Sequence, residues 1–297
     1  MAVTAAMVKE LREMTGAGMM DCKKALVATD GDMTKAVDWL REKGIAKAVS
    51  KGGRVAAEGL AKIMIEGNKA ILVEINSETD FVAKNDKFLA LLDEVCKTII
   101  ASDAKTLDDA LALATAEGTL KDTIVNAIAT IGENITLRRF EIVEKADDEL
   151  FGAYTHQGGS IIAVTVVKGT DDPQIAKNMA MQVASMNPTY ISRNDMPKDV
   201  IDHERSVQEA IVAGDESLAS KPDKVKAGIV EGRVSKSLQD MCLVDQEFFL
   251  DTNMKCGAYL KQFGAEVTKF VKYKVGEGIE KKQDDFAAEV AAMAQGK

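Results

Sequence analysis

The chain of 297 residues is long enough for about two domains, each with a core of its own. Its 38 Lys and Arg stand against 47 Asp and Glu, a net charge of −9 with no long basic run, which argues against nucleic acid as a direct ligand. At 46% hydrophobic and 29% charged residues it is not a disordered chain, and its longest aliphatic run, Ile161 to Val167, is far too short to span a bilayer. Residues 4 to 43 read as three short helices. Val8 and Leu11 mark the first, Gly16-Ala17-Gly18 breaks it, and Met19, Cys22, Ala25 and Leu26 form the stripe of the second. Met33, Ala36, Val37 and Leu40 mark the third, with Asp32 as N-cap and Gly44 as stop. Met20 falls about 100° from Met19, beside Lys23 and Lys24. It either caps the edge of this small core or forms a contact surface.

Ser50 to Gly59 is small, polar and glycine-rich, as suits a linker. Beyond it, Leu60 to Glu66 and Lys69 to Ile75 predict a hairpin around Gly67-Asn68. Asn85 then caps a helix whose Phe88, Leu91, Leu92, Val95 and Ile99 share one face. Between hairpin and helix lies a polar connection holding one phenylalanine, Phe81. The helix has its apolar stripe without it, so Phe81 is left over. Its ring either folds back to pin the connection or is held out for a partner.

From Lys105 to Thr130 the chain is helical with two capping patterns, Thr106 with Asp109 and Thr119 with Asp122. Gly132, within Ile131-Gly132-Glu133-Asn134, is read as a helix stop before a strand from Ile135 to Val143. A second hairpin, Leu150 to His156 and Ser160 to Lys168, is followed by a helix carrying Ile175, Met179, Val183 and Met186 on one face. Hairpin then helix therefore occurs twice, which predicts two related α+β halves. The connection after the second hairpin is short, whereas the first inserts the Phe81 segment, and function is expected in the longer one.

Pro197 to Val212 and Lys221 to Leu238 predict an inserted antiparallel helical hairpin turning near Gly214, with stripes at Val200, Val207 and Ile211 and at Val225, Ile229 and Leu238. A helix from Thr252 to Phe263, a strand from Glu266 to Val275 and a terminal helix with Phe286, Val290 and Met293 complete the expected order. The fold class is α+β with antiparallel sheets.

Phosphate-binding, dinucleotide-binding, zinc-protease and nucleophile-elbow motifs are absent from the sequence. His156 and His203 are the only histidines, and the default for His156 is a structural role. Cys22, Cys96, Cys242 and Cys256 form no C-x-x-C pair, which suits reduced cytosolic thiols. Lys9, Glu10, Arg12 and Glu13 stand where a secretory signal would need an apolar core. No metal or cofactor is expected, and no clustered acid or base marks an enzyme.

Four segments carry a resemblance: Leu11 through Leu26, Thr79-Asp80-Phe81-Val82-Ala83-Lys84-Asn85, Ile131-Gly132-Glu133-Asn134 and Val275-Gly276-Glu277-Gly278-Ile279-Glu280. Together they resemble bacterial translation elongation factor Ts from end to end, and the first two are highly specific. The resemblance implies a non-enzymatic exchange factor for the GTPase elongation factor Tu, cytoplasmic and free of cofactors. It implies a three-helix, ubiquitin-associated-like module at 1–50, a core in two parts (56–145, and 146–188 with 240–275), a dimerisation hairpin at 189–239 and a C-terminal module at 276–297. The hairpin would support a homodimer or a 2:2 complex, with neither nucleic acid nor membrane as partner. By the same resemblance Thr79, Asp80, Phe81 and Val82 enter the nucleotide-binding domain of elongation factor Tu and disturb its Mg²⁺ site. Ile131 and Gly132 press near its phosphate side, Arg12, Met19 and Met20 hold its domain, and His156 adds a contact. The family has a basic residue and Ile-Gly-Val after the turn that follows His156, where this chain has Ser160-Ile161-Ile162-Ala163. The rival reading is a ubiquitin-associated-like adaptor without exchange activity, which accounts for the first module but not for Phe81.

Overall fold

The computed structural model describes residues 3–280. The helix expected around Phe286, Val290 and Met293 lies outside them. Helix α1 (Ala5–Thr15) is capped by Thr4, whose hydroxyl accepts from the Met7 N–H, and ends at Gly16 in the left-handed region. Helices α2 (Met19–Ala28) and α3 (Met33–Lys51) follow, the second capped by the Asp32 carboxylate as expected. Val8, Leu11, Cys22, Ala25, Leu26 and Ala36 close over one another into a small core of their own. Met19 does not join that core. As the first residue of α2 it is 48% exposed, because the chain enters the helix there from the Gly16–Gly18 turn.

Strands β1 (Glu58–Glu66) and β2 (Lys69–Ser77) form the first hairpin. The linker is shorter than expected, since Ser50 and Lys51 are helical and Glu58 and Gly59 already belong to β1. Next come α4 (Asp80–Ala83) and α5 (Asp86–Ile100), whose predicted stripe is buried and whose N-cap is Asn85. The helical stretch after it is broken. Helix α6 (Leu107–Leu111) is separated by a small hairpin, β3 (Ala114–Thr115) and β4 (Gly118–Thr119), from α7 (Leu120–Ile131). Both helices carry complete capping boxes, at Thr106 with Asp109 and Thr119 with Asp122. Gly44 is not a stop. Helix α3 runs through it, and a Cβ there would lie 3.2 Å from the Ala129 Cβ, so the bare backbone lets α3 lie close along α7. Strand β5 (Thr136–Glu144) pairs with β2 and completes a sheet of order β1-β2-β5.

The second half repeats this layout. Strands β6 (Glu149–His156) and β7 (Ile161–Lys168) form a hairpin, α8 (Pro173–Met186) follows, and α9 (Lys198–Gly214) and α10 (Asp223–Met241) form the helical hairpin. A two-stranded ribbon, β8 (Glu247–Phe248) and β9 (Asp251–Lys255), then leads into α11 (Cys256–Gln262) and β10 (Glu266–Lys274). Residues Thr252 to Lys255, expected in a helix, are therefore in a strand. Strand β10 pairs with β7, giving the order β10-β7-β6. In both sheets the second strand of the hairpin is central and the late strand lies on its far side.

The two sheets stack face to face. Ala61, Ala70, Leu72 and Val143 meet Ile162, Val164, Val166 and Val271, while Ile71, Val73 and Ile75 point the other way onto α5 and α7. Ala163 and Val167 likewise point onto Ile175, Met179 and Val183 of α8, and Met186, at the end of that helix, is exposed rather than on the buried face. The central strands are covered on both faces, which is why they read as near-continuous apolar runs. The helical hairpin has a separate core of Met196, Val212, Val230, Val234, Leu238 and Cys242. Val200, Ile229 and Leu238 pack where the stripes place them, but Val207, Ile211 and Val225 face solvent.

Candidate partner-binding site

After β2 the chain leaves the sheet through Ser77 and Glu78. Thr79 is extended (φ −125°, ψ 155°) and caps α4, its hydroxyl accepting from the Val82 N–H at 3.4 Å. Within this single turn Ala83 is buried and Val82 packs against the core of the first half. Helical spacing then throws Phe81 outward. It is 82% exposed, the most of any large apolar side chain among the described residues, so the ring does not pin the connection. Beside it Asp80 accepts from Lys84 Nζ at 2.7 Å, and that bond holds its carboxyl below the usual aspartate range.

The turn rests on the segment that ends α7. Gly132, at φ 96°, terminates the helix with its N–H on the Ile128 carbonyl, and its own carbonyl accepts from Lys51 Nζ. Glu133 then turns inward, and its carboxylate accepts the Thr79 N–H at 3.0 Å and the Thr79 hydroxyl at 2.7 Å. In the opposite sense, Glu78 accepts the Asn134 N–H at 2.6 Å. The Asn134 amide donates to the Arg54 carbonyl at 2.7 Å, and the Ser77 hydroxyl donates to the Thr79 carbonyl at 2.9 Å. Thr79 to Val82 and Ile131 to Asn134, far apart in sequence, are thus one bonded unit. Ile131 is half-buried within it.

The three-helix module lies alongside. Lys87 Nζ, in the first turn of α5, reaches the Gly16 carbonyl at 3.3 Å, and Arg41 pairs with Asp122 at 3.4 Å. The first contact ties the α1–α2 turn to the helix that immediately follows the Phe81 segment, and the second ties α3 to α7. Arg12, Met19 and Met20 are all exposed on that module, and so are Met14 and Val27, which the sequence pattern alone did not single out. The signal was available, because both fall off the buried stripes of their helices. His156 stands elsewhere, exposed at the end of β6, with its Nδ1 3.1 Å from the Tyr154 hydroxyl. The turn after it presses on the first sheet, for a Cβ at Gly159 would come within 2.7 Å of the Ala61 carbonyl oxygen. Ile162 and Ala163, where the sequence departs from the family pattern, are buried.

Among the described residues no three His, Cys, Asp or Glu side chains come together as cation ligands. All four cysteines are free and buried, and burial pushes the Cys96 and Cys256 thiols up to about 12. No helix is long and apolar enough to cross a membrane among those residues. A family model described as Elongation factor TS matches residues 78–277. The matched span opens on the Glu78 carboxylate that braces Asn134 and contains the whole Phe81 turn.

Proposed function

The chain belongs to the elongation factor Ts family, and we propose that it drives GDP from elongation factor Tu by disturbing the partner's Mg²⁺ and phosphate site. One observation carries this: Phe81 stands 82% exposed on a turn whose neighbours are held by the core and by Glu133. An exposed phenylalanine on a fixed base gains about 1.5 to 3 kcal/mol when a partner buries it. Thr79, Asp80, Phe81 and Val82 form the wedge that enters the nucleotide-binding domain of elongation factor Tu. Mg²⁺ demands near-ideal octahedral geometry, so small shifts of its ligands weaken it. Ile131 and Gly132 press near the phosphate side, Arg12, Met19 and Met20 grip the domain, and His156 adds a contact from the second hairpin.

Exchange then follows from linkage. A factor that prefers the nucleotide-free partner weakens GDP by the same ratio as GDP weakens the factor. No bond is made or broken in this scheme, so the protein needs no cofactor and is no enzyme in the ordinary sense. Its site of action is the cytoplasm. The exposed Val207, Ile211 and Val225 on the helical hairpin support self-association as a homodimer or within a 2:2 complex.

A second reading has its own observation: the family match leaves α1 to α3 outside, and that module exposes Met14, Met19, Met20 and Val27. On that reading the module is a ubiquitin-associated-like adaptor that binds protein without exchange activity. Release of labelled GDP from elongation factor Tu, timed with and without this chain, separates the two. Exchange predicts faster release as the chain is added, whereas an adaptor binds and leaves the rate alone.

A further inference from the structure

A helical turn of four residues cannot hold itself in water, because isolated helices shorter than about 12 to 15 residues are marginal. Something outside α4 must fix the direction of Phe81. The structure supplies two carboxylates that cross between the segments. Glu133 takes both donors of Thr79, and Glu78 takes the Asn134 N–H. Each is a charge-assisted bond to a group that has no regular ladder partner there. The bracket is anchored in turn, since Asn134 is buried and bonded to the Arg54 carbonyl and the Gly132 carbonyl is held by Lys51.

We propose that Glu133 and Glu78 are positioning residues for exchange: they lock the Phe81 turn to the Ile131–Asn134 turn, so that the wedge and the segment pressing near the phosphate move as one rigid piece. This rests on the exchange reading above. Neither carboxylate needs to touch the partner. Glu133 acts through Thr79, Glu78 through Asn134, and the effect is on where Phe81 points when the partner arrives.

A double-mutant cycle on catalysed GDP release tests this, with urea midpoints recorded for every variant. Glu133→Ala removes both charge-assisted bonds to Thr79 and is expected to slow release about tenfold or more. In a Phe81→Ala background the same change should matter less than about twofold, since there is no ring left to aim. Glu133→Gln should recover most of the rate, because its amide oxygen can still accept the Thr79 N–H and its amide N–H can donate to the Thr79 hydroxyl. Glu78→Ala, which removes the acceptor of the Asn134 N–H, supplies the same comparison should Glu133→Ala not fold. Equal slowing in both backgrounds, or no recovery with glutamine, overturns the bracket. Phe81→Ala as fast as wild type overturns the exchange reading and the bracket with it, whereas a slow Phe81→Ala beside an unaffected Glu133→Ala overturns the bracket alone.

Discussion

The two halves of the core share a strand order but not a connection. In the second half the chain passes from β7 to α8 through Gly169 to Asp172, and the passage is self-sufficient. Gly169 turns at φ 80°, Asp172 caps the helix by accepting from the Gln174 N–H at 2.9 Å, and Pro173 sets the first turn. In the first half the same passage runs from Glu78 to Asn85 and carries an extra helical turn that presents Phe81 and is held from outside by Glu133. The second half has its own excess, the α9–α10 hairpin between α8 and β10, with apolar residues turned outward. The shared scaffold is apolar and closed. What each half adds to it is open, and that is where partners can be met.

The central strands sharpen the contrast. Each carries a fully buried polar side chain, Glu74 in β2 and Thr165 in β7. Thr165 is satisfied within its own half by the Ala176 carbonyl of α8 at 2.9 Å. Glu74 is satisfied by Arg138 at 2.9 Å and Arg139 at 2.6 Å on β5, and by the Gly276 N–H at 2.9 Å beyond β10, so it also joins the halves. Arg139 stacks in addition on Tyr273 of β10, 4.2 Å from its ring centre. Glu74→Ala should therefore give the largest stability loss, about 3 to 5 kcal/mol by urea unfolding, because it removes the buried carboxylate that two guanidinium groups share and leaves them only the Lys274 and Glu277 contacts at the edge. Thr165→Val should cost less, about 1 to 3 kcal/mol. Equal losses would erase the distinction between a bond across the halves and one within a half.

Burial raises the Glu74 pKa, but the Gly276 N–H and the two arginines outweigh it and hold the carboxyl below the ordinary value of 4.5. A depressed folded pKa means that the stabilisation is complete above about pH 4.5 and is lost as the pH falls through the folded value. The stability gap between wild type and Glu74→Gln should accordingly shrink on acidification below that point. A gap that is flat with pH would show that the carboxylate charge contributes nothing.

Replacing residues 197 to 238 by a short linker removes the excess of the second half. Thr189 and Tyr190 both donate to the Met241 carbonyl, at 2.9 and 3.0 Å, so the ends of the hairpin already lie together. Both sheets should keep a cooperative thermal transition, while self-association measured by sedimentation should change. Loss of the transition would contradict the separateness of the hairpin core. On the three-helix module, Met19→Ala and Met20→Ala should each leave the melting temperature within surface-substitution limits, about 0.5 kcal/mol, and weaken the complex with elongation factor Tu by about 1 kcal/mol or more. A large stability loss at Met19 alone would return it to the module core.

Legibility in the sequence followed the range of the interaction. Asn85, Thr106 with Asp109, Thr119 with Asp122 and Gly132 act on backbone groups within a few residues, and each is where its pattern places it. Gly44 resembles a helix stop in sequence because its meaning is tertiary, a close approach to Ala129 in a helix far along the chain. The α9–α10 stripes hold at Val200, Ile229 and Leu238 but not elsewhere, because polar, exposed helices tolerate apolar residues on either face, so that Val212 and Val230 are inside while Ile211 and Val225 are not. Phe81 was recognised as surplus, but α4 is too short to show a period. The Glu133 carboxylate that aims it could not be read at all, since it meets Thr79 only in the fold.

The most direct test is catalysed GDP release by Phe81→Ala, measured in ample Mg²⁺ and again with chelator. Phe81 is exposed, so the variant should melt with wild type, yet release GDP more slowly by about ten- to a hundredfold, the equivalent of one buried phenylalanine. Chelation should narrow that gap, because on the proposed mechanism the cation that the wedge acts on is already gone. A variant as fast as wild type in ample Mg²⁺, or one that loses the 3 to 5 kcal/mol usual for truncating a core phenylalanine, about the scale of a lost anchor, would contradict the wedge.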